Sequence, residues 1–118
     1  MSIGPLYHWS PRDRLKGIKR LGLVPGKGTP LTYENSVTGD DEEYVQQSVS
    51  FSLDPITAWN YSHGAWKTKG VFDLWQVWID PTDEVHILPM WGGKIAEIRI
   101  HNRIPKRRVT HVGERTVT

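Results

Sequence analysis

The sequence predicts an α+β domain in which short, mostly antiparallel strands form the core. Helical spacing of apolar residues is confined to one stretch after residue 10 and another after residue 54. Alternation of apolar and polar residues, which is typical of strands, recurs from residue 71 onward. The 118 residues fit one domain, 1–118, which is long enough to build a core without disulfides or metal.

A strand over residues 6–9 and a helix directly after it are predicted at the start of the chain. Ser10 is expected to cap the helix, with Pro11 at its first position and Asp13 completing a capping box. Gly22 is the expected left-handed terminator. The apolar stripe of this helix consists of Leu15, Ile18 and Leu21.

The middle of the chain predicts a long loop followed by a strand and a second short helix. Residues 24–47 are rich in proline, glycine, threonine and acid, and so long a loop in a small domain is often functional. Residues 48–53 alternate as a strand does. Asp54 is expected to cap the next helix, with Pro55 at its first position and its end near Tyr61.

The second half of the chain predicts strands over residues 71–79, 85–88, 94–100 and 108–112. In the first of these, Trp75, Val77 and Ile79 are expected on one side and Leu74, Gln76 and Trp78 on the other. With the two early helices, these strands give a mostly antiparallel sheet core.

Composition excludes several classes of protein. The chain has no cysteine, which excludes a disulfide framework, a thiol nucleophile and a Cys-ligated metal site. The five histidines show no metal-ligand spacing, so no metal site is expected. No signal peptide and no apolar run of about 20 residues is present, so we expect a cytoplasmic domain without a membrane partner.

The net charge of +2 is unevenly distributed. Residues 40–43 are all acidic, whereas the C-terminal end is basic and includes Lys106, Arg107 and Arg108. A basic segment attracts phosphate, whether of a dinucleotide or of a nucleic acid. The alternative for these three residues is an ordinary solvated surface.

Three short segments, in order, carry the candidate chemistry. The first is Tyr7-His8-Trp9-Ser10, which leads to Ile18 and then to Gly22-Leu23-Val24-Pro25. The second is Phe51-Ser52-Leu53-Asp54, followed by Ala58-Trp59-Asn60-Tyr61. The third is Ala96-Glu97-Ile98-Arg99-Ile100, which runs on to Pro105. In their order and context these segments resemble the ADP-ribosyltransferase superfamily, which uses NAD as a substrate.

The resemblance implies the fold of that superfamily, with a split and mostly antiparallel β-sheet and two short helices in the N-terminal half. It also implies a catalytic triad of His8, Tyr61 and Glu97. His8 would hydrogen-bond a ribose of NAD, and Tyr61 would stack on the nicotinamide ring. The NAD-binding residues that the resemblance implies are His8, Trp9, Phe51, Ser52 and Tyr61, with Ser52 contacting the nicotinamide amide.

Glu97 stands out because a carboxylate among isoleucines is costly to bury unless it has a partner or a function. The resemblance implies that Glu97 hydrogen-bonds the ribose 2′-hydroxyl and stabilises positive charge as the glycosidic bond to nicotinamide breaks. The acceptor is left open between a nucleic acid, a protein and a small molecule. The continuation from Ala96 to Pro105 is similar to DNA-modifying toxins of the superfamily, which suggests a setting in toxin or phage conflict.

Some residues depart from the superfamily pattern. Trp9 stands where glycine or threonine is usual, and Phe51 stands where tyrosine is common. Ile95 replaces an acid or glutamine that accompanies arginine-directed activity, which makes modification of arginine less expected.

Structural alternatives also stay open. Taken without the surrounding motif, Phe51, Trp59 and Tyr61 are expected to be core residues, and Glu97 has Lys94 or Arg99 as a possible ion-pair partner. The catalytic hypothesis requires His8, Tyr61 and Glu97 to converge on one cleft. Glu97 pointing into the apolar core, or pairing with Arg99 on the opposite side, would argue against it.

Two other functions are compatible with the sequence. One is a binding module for NAD, ADP-ribose or nucleic acid, or an inhibitor, that keeps the fold without turnover. The other is an NAD-dependent RNA 2′-phosphotransferase, which needs arginines near the histidine, for which Arg12 and Arg14 are the candidates.

Overall fold

The structure is a computed structural model that describes residues 4–27, 47–61, 69–90 and 95–118. Expectations that fall on the intervening segments, including most of the long loop, lie outside the described residues. The described strands are β1 (Pro5–Pro11), β2 (Gly26–Lys27), β3 (Gln47–Phe51), β4 (Gly70–Trp78), β5 (Val85–Met90), β6 (Ile95–Ile100) and β7 (Val109–Val117). The described helices are α1 (Leu15–Leu21), α2 (Pro55–Tyr61) and the 3-10 helices Arg12–Arg14 and Lys106–Arg108.

The strands form two sheets whose described pairings are antiparallel. One sheet has the order β1-β4-β7 and the other the order β2-β3-β6-β5. The sheets meet where β1 runs beside the end of β3: Tyr7 N donates to Ser52 O at 2.9 Å, and Ser52 N donates to Tyr7 O at 3.1 Å. The predicted α+β class with mostly antiparallel strands and few helices is confirmed.

The hydrophobic core lies between the two sheets. The first sheet contributes alternate residues of β1 and β4, and the second sheet contributes alternate residues of β3 and β6. The end of α1 and the segment before the second 3-10 helix close the core at one side. The buried members are Leu6, Ile18, Leu23, Val49, Phe51, Trp75, Val77, Ile98, Ile100 and Ile104.

The predicted start of the first helix is wrong. Ser10 does not cap it, because β1 continues through Pro11, and in that strand Ser10 lies opposite Asp73 of β4. Its hydroxyl accepts a hydrogen bond of 2.8 Å from Trp75 Nε1. A 3-10 turn over Arg12–Arg14 follows, and α1 begins only at Leu15. The pairing of β1 with β4 therefore overrides the local capping preference.

The predicted end of that helix is confirmed. Gly22 has φ of 82°, and its N–H donates to Ile18 O at 2.8 Å. The cap of α2 is also confirmed, because Asp54 Oδ1 accepts a hydrogen bond of 2.8 Å from Thr57 N. The hydrogen bonds from the backbone and hydroxyl of Thr57 lower the pKa of Asp54.

Helix α2 packs on the face of the first sheet that points away from the core. Trp59 makes edge-on contacts with Trp9 and with Phe72, with ring centroids 5.1 and 5.5 Å apart. Trp9 Nε1 also donates a hydrogen bond of 2.9 Å to Pro55 O, which ties the helix to β1. Trp59 is therefore a buried packing residue, outside the core between the two sheets.

The predicted strands after residue 70 are present, and both β5 and β7 end later than predicted. β7 extends to Val117, beyond the predicted end at residue 112, because it pairs with β4 from Gly70 to Val77. The short strand β2 was not predicted. In the described part of the chain, neither α-helix is long and apolar enough to cross a lipid bilayer.

Candidate functional site

His8 lies in the middle of β1, opposite Trp75 of β4, where the two sheets meet. Its Nδ1 atom is 2.8 Å from the carbonyl oxygen of Ser50 in β3. Because a carbonyl only accepts hydrogen bonds, Nδ1 carries the proton and donates it. The imidazole ring also contacts the ring of Phe51, with centroids 5.6 Å apart.

Burial lowers the pKa of His8 from 6.5 to about 4, against the opposing effect of the hydrogen bond to Ser50. The positive charges of Arg14 and Arg99 contribute to this lowering of the pKa. His8 is therefore neutral at physiological pH, with a lone pair on Nε2. Among the described residues no side chain donates to Nε2, so it is available to accept a hydrogen bond from a hydroxyl group.

Glu97 lies in β6, on the face opposite the core residues Ile98 and Ile100. Its side chain is only 1 % exposed. The Ser50 hydroxyl donates a hydrogen bond to Glu97 Oε2, and Arg99 Nη2 lies 2.7 Å from the same oxygen. The ion pair with Arg99 that the sequence left open is thus present on the face of β6 opposite the core, and this pairing is the finding that was expected to argue against the catalytic hypothesis.

The second carboxylate oxygen, Glu97 Oε1, is buried and accepts no hydrogen bond in the described part of the chain. A buried carboxylate oxygen without a donor costs free energy, because it has lost water without replacing it. Such a residue is a candidate for contact with a ligand donor. A sugar hydroxyl is a donor of the right kind.

Ser50 connects the two candidate catalytic residues. Its carbonyl holds His8 and its hydroxyl holds Glu97, so one residue of β3 positions a side chain from β1 and another from β6. Ser50 was not among the predicted site residues. The available signal was its place in a predicted strand, between the two apolar residues that face the core.

The structure places Phe51 and Ser52 at the junction of the sheets. Phe51 is 1 % exposed and belongs to the hydrophobic core. This burial favours the core role that the sequence left open, over stacking on a nicotinamide ring. Ser52 is also 1 % exposed, and its backbone bridges to Tyr7. Contact of Ser52 with a nicotinamide amide stays a prediction.

Trp9 belongs to the other face of β1. Strand alternation directs Trp9 away from His8, toward Pro55 and Trp59 of α2. Trp9 therefore anchors that helix. Tyr61 is the last residue of α2, and its side chain lies outside the described residues. Its stacking role stays a prediction.

A second polar cluster surrounds Asp73 of β4, which has a side-chain exposure of 0 %. Arg12 binds both its carboxylate oxygens and also contacts Glu114, while His111 Nε2 donates to Asp73 Oδ1 at 2.8 Å. Burial would raise the pKa of Asp73, but the hydrogen bonds from Arg12 and His111 outweigh it and hold that pKa below its usual value. Arg12 is therefore engaged, and no pattern in the sequence pointed to His111.

Comparisons with known proteins do not extend this description, since no family model, curated protein or solved structure matches the chain. Within the described ranges, no group of three metal-ligating side chains comes together. The candidate site is thus defined by geometry alone: a neutral histidine, a buried carboxylate and the serine between them.

Proposed function

We propose that the chain is an NAD-dependent mono-ADP-ribosyltransferase in which His8 and Glu97 act on the ribose next to nicotinamide. The observation that carries this proposal is the arrangement around Ser50, which holds the imidazole with its carbonyl and the carboxylate with its hydroxyl. The resemblance of the three sequence segments to ADP-ribosyltransferases supports the same function. Tyr61 is proposed as the third residue, stacking on the nicotinamide.

In the proposed reaction the bond between nicotinamide and ribose C1′ breaks, and nicotinamide leaves with the bonding electron pair. Positive charge develops on C1′ and the ring oxygen. A lone pair of the acceptor then forms the new bond to C1′, and the acceptor loses its proton. Glu97 stabilises the positive charge by accepting a hydrogen bond from the ribose 2′-hydroxyl. His8 Nε2 accepts one from a ribose hydroxyl and fixes the orientation of the sugar.

Two features of the described site fit a ribose. Glu97 Oε1 lacks a donor, and a ribose hydroxyl supplies one. His8 is neutral, and its Nδ1–H is already used by Ser50, so Nε2 is left as an acceptor. Because Glu97 is only 1 % exposed, substrate binding has to displace part of its surroundings.

The experiment is to measure nicotinamide released from NAD by the wild type and by Glu97→Gln, His8→Ala and Ser50→Ala variants. We expect Glu97→Gln to lower the rate about a hundredfold or more, because the charge that stabilises the transition state is lost. His8→Ala should lower it as well. Ser50→Ala should lower the rate less than Glu97→Gln, because the carboxylate stays but loses its positioning hydrogen bond.

Glu84→Gln is the matched control, since Glu84 is an exposed carboxylate in the turn before β5. It should release nicotinamide at the wild-type rate. NAD binding is recorded by calorimetry on the same samples, with circular dichroism to verify folding. A wild type that neither binds nor cleaves NAD contradicts the proposal, as does release that survives the loss of both Glu97 and His8.

A binding module without turnover is the second candidate. Two observations favour it: Arg99 already occupies Glu97 Oε2, and Phe51 is buried in the core where the superfamily often has a stacking tyrosine. Binding of NAD without release of nicotinamide, in the presence of candidate acceptors, would support this function. The RNA 2′-phosphotransferase ranks below both, because Arg12 is held by Asp73 and Glu114.

A further inference from the structure

Five exposed basic residues lie on two neighbouring elements, α1 and the 3-10 helix Lys106–Arg108. Helical spacing puts Lys16 and Arg20 on the side of α1 opposite the buried Ile18, and Lys19 on the flank next to Lys16. Lys106 and Arg107 are exposed on the 3-10 helix. We call this set of five the basic face.

The two elements are fixed close together by backbone contacts. Leu23 and Ile104 exchange hydrogen bonds of 2.9 Å in each direction. At Gly22, an added Cβ would lie 2.0 Å from Ile104 O and 2.8 Å from Lys106 N, so the end of α1 touches the start of the 3-10 helix. The basic face is therefore a preformed surface, although its two parts are more than 80 residues apart in sequence.

These five cations differ from the arginines that form ion pairs within the fold, Arg12, Arg99 and Arg108. Arg12 is bound to Asp73, and Arg108 is bound to Asp83, whose carboxylate it contacts at 2.7 and 2.8 Å. None of the five forms an ion pair with any other described residue. A cluster of like charges with no internal partner repels itself, and a bound polyanion relieves that repulsion.

The basic face also starts beside the candidate site. Arg14 directly precedes α1, and its charge is near enough to His8 to affect the imidazole. The seven residues of α1 extend over about 10 Å, at about 1.5 Å per residue. A strand of nucleic acid lying on this face would therefore pass close to His8.

We propose that the basic face binds the phosphate backbone of single-stranded nucleic acid and presents that strand as the ADP-ribose acceptor. The proposed binding does not depend on the transferase function, whereas the acceptor role rests on that proposed function. A single strand is favoured over a duplex because its unstacked bases can contact apolar side chains beside the cations. Leu21 and Val24 are 42 % and 55 % exposed beside the cations and offer apolar contact to unstacked bases.

A nucleic acid fits the face better than an anionic membrane does. Helices that lie on membranes bury a broad apolar face rich in tryptophan, phenylalanine and leucine. The buried face of α1 is already used by the core through Ile18, and its outer face is cationic. A cationic surface that lacks a broad apolar face matches a phosphate backbone better than a membrane.

The test is fluorescence anisotropy of labelled single-stranded DNA and RNA oligonucleotides, without NAD, over a range of salt concentrations. Affinity should fall with salt, with a log–log slope of up to about −3.5 if all five cations contact phosphates. Lys19→Glu and Lys106→Glu should each weaken binding about fivefold at 0.1 M salt and reduce the slope by about 0.7. Lys69→Glu, an exposed lysine before β4, is the matched control and should bind as the wild type does.

Equal loss in the Lys69→Glu control, or no binding of either oligonucleotide, would overturn the proposal. Tighter binding to duplex or to vesicles with anionic lipid than to single strands would overturn it in favour of those partners. Since the assay contains no NAD, its failure leaves the nicotinamide-release test unaffected. Conversely, binding that depends on Lys19 and Lys106 stands even if no nicotinamide is released.

Discussion

At the scale of single residues, His8 shows how burial and one hydrogen bond determine the state of a titratable group. Burial removes water from the imidazole, and the Ser50 carbonyl fixes the proton on Nδ1. The result is a neutral ring with a defined acceptor. The same features that suit the ring to a ribose hydroxyl make the stability of the protein depend on pH.

We predict that His8 makes the protein less stable as the pH falls from about 6.5 to 4. Its pKa is about 4 in the folded chain, below the value of 6.5 expected when unfolded, so the unfolded chain takes up the proton first. The full stability is present above about pH 6.5. Between pH 7 and pH 5 the loss assigned to His8 is about 2 kcal/mol.

The measurement is urea unfolding at pH 7 and pH 5 for the wild type and for His8→Asn. Asparagine keeps an N–H that reaches the Ser50 carbonyl but does not titrate. The variant should lose about 2 kcal/mol less than the wild type between the two values. An equal loss in both proteins would show that His8 is not buried as described.

His8 and Glu97 were predicted as site residues because the segments around them resemble those of ADP-ribosyltransferases, and Glu97 also because a carboxylate among isoleucines is unusual. Ser50 could not be selected in this way, since serine is common in strands. Its role depends on the register that places it opposite Arg99 of β6 and near His8 of β1. That register joins residues more than 40 positions apart and is set by packing of the whole sheet.

At the scale of elements, the end of α1 illustrates a glycine required for two separate reasons. Gly22 has φ of 82°, which disfavours a side chain, and its Cα faces the backbone of Ile104 and Lys106. Gly4 has φ of 88° without any atom within 4 Å of an added Cβ. Gly17 lies within α1, also in open space. A comparison of the three positions therefore separates the cost of backbone strain from the cost of a steric clash.

We predict graded effects for three alanine substitutions, measured by urea unfolding. Gly4→Ala should cost about 1 kcal/mol, from the strained φ alone. Gly22→Ala should cost about 3 kcal/mol or more, because the segment around Ile104 has to move as well. Gly17→Ala should stabilise by about 0.5–1 kcal/mol, since alanine is the better helix former. Equal costs at Gly4 and Gly22 would contradict the close approach.

Local sequence signals correctly predicted where α1 ends and where α2 begins, because each capping residue bonds to its own helix. Gly22 and Asp54 form hydrogen bonds to residues three or four positions away, which the sequence shows directly. Ser10 was expected to do the same, but it lies opposite Asp73 and binds Trp75. A partner 65 residues away cannot be inferred from a capping motif.

At the scale of the whole molecule, the candidate site exists only because two sheets meet. β1 contributes His8, β3 contributes Ser50, and β6 contributes Glu97; β1 belongs to one sheet, and β3 and β6 to the other. The α+β class followed from strand alternation and two helix signals. The pairing of β1 with β3, which forms the junction, could not be predicted in this way. Alternation shows which residues share a face of a strand, but not which strand lies beside it.

The most direct test of the central claim is a crystal structure of the protein with an NAD analogue whose ribose ring oxygen is replaced by a methylene group. Such an analogue binds as NAD does but does not form the positively charged transition state. We predict a hydrogen bond from the 2′-hydroxyl to Glu97 Oε1 and one from a ribose hydroxyl to His8 Nε2. An analogue bound elsewhere, with Glu97 held only by Ser50 and Arg99, would contradict the proposed site.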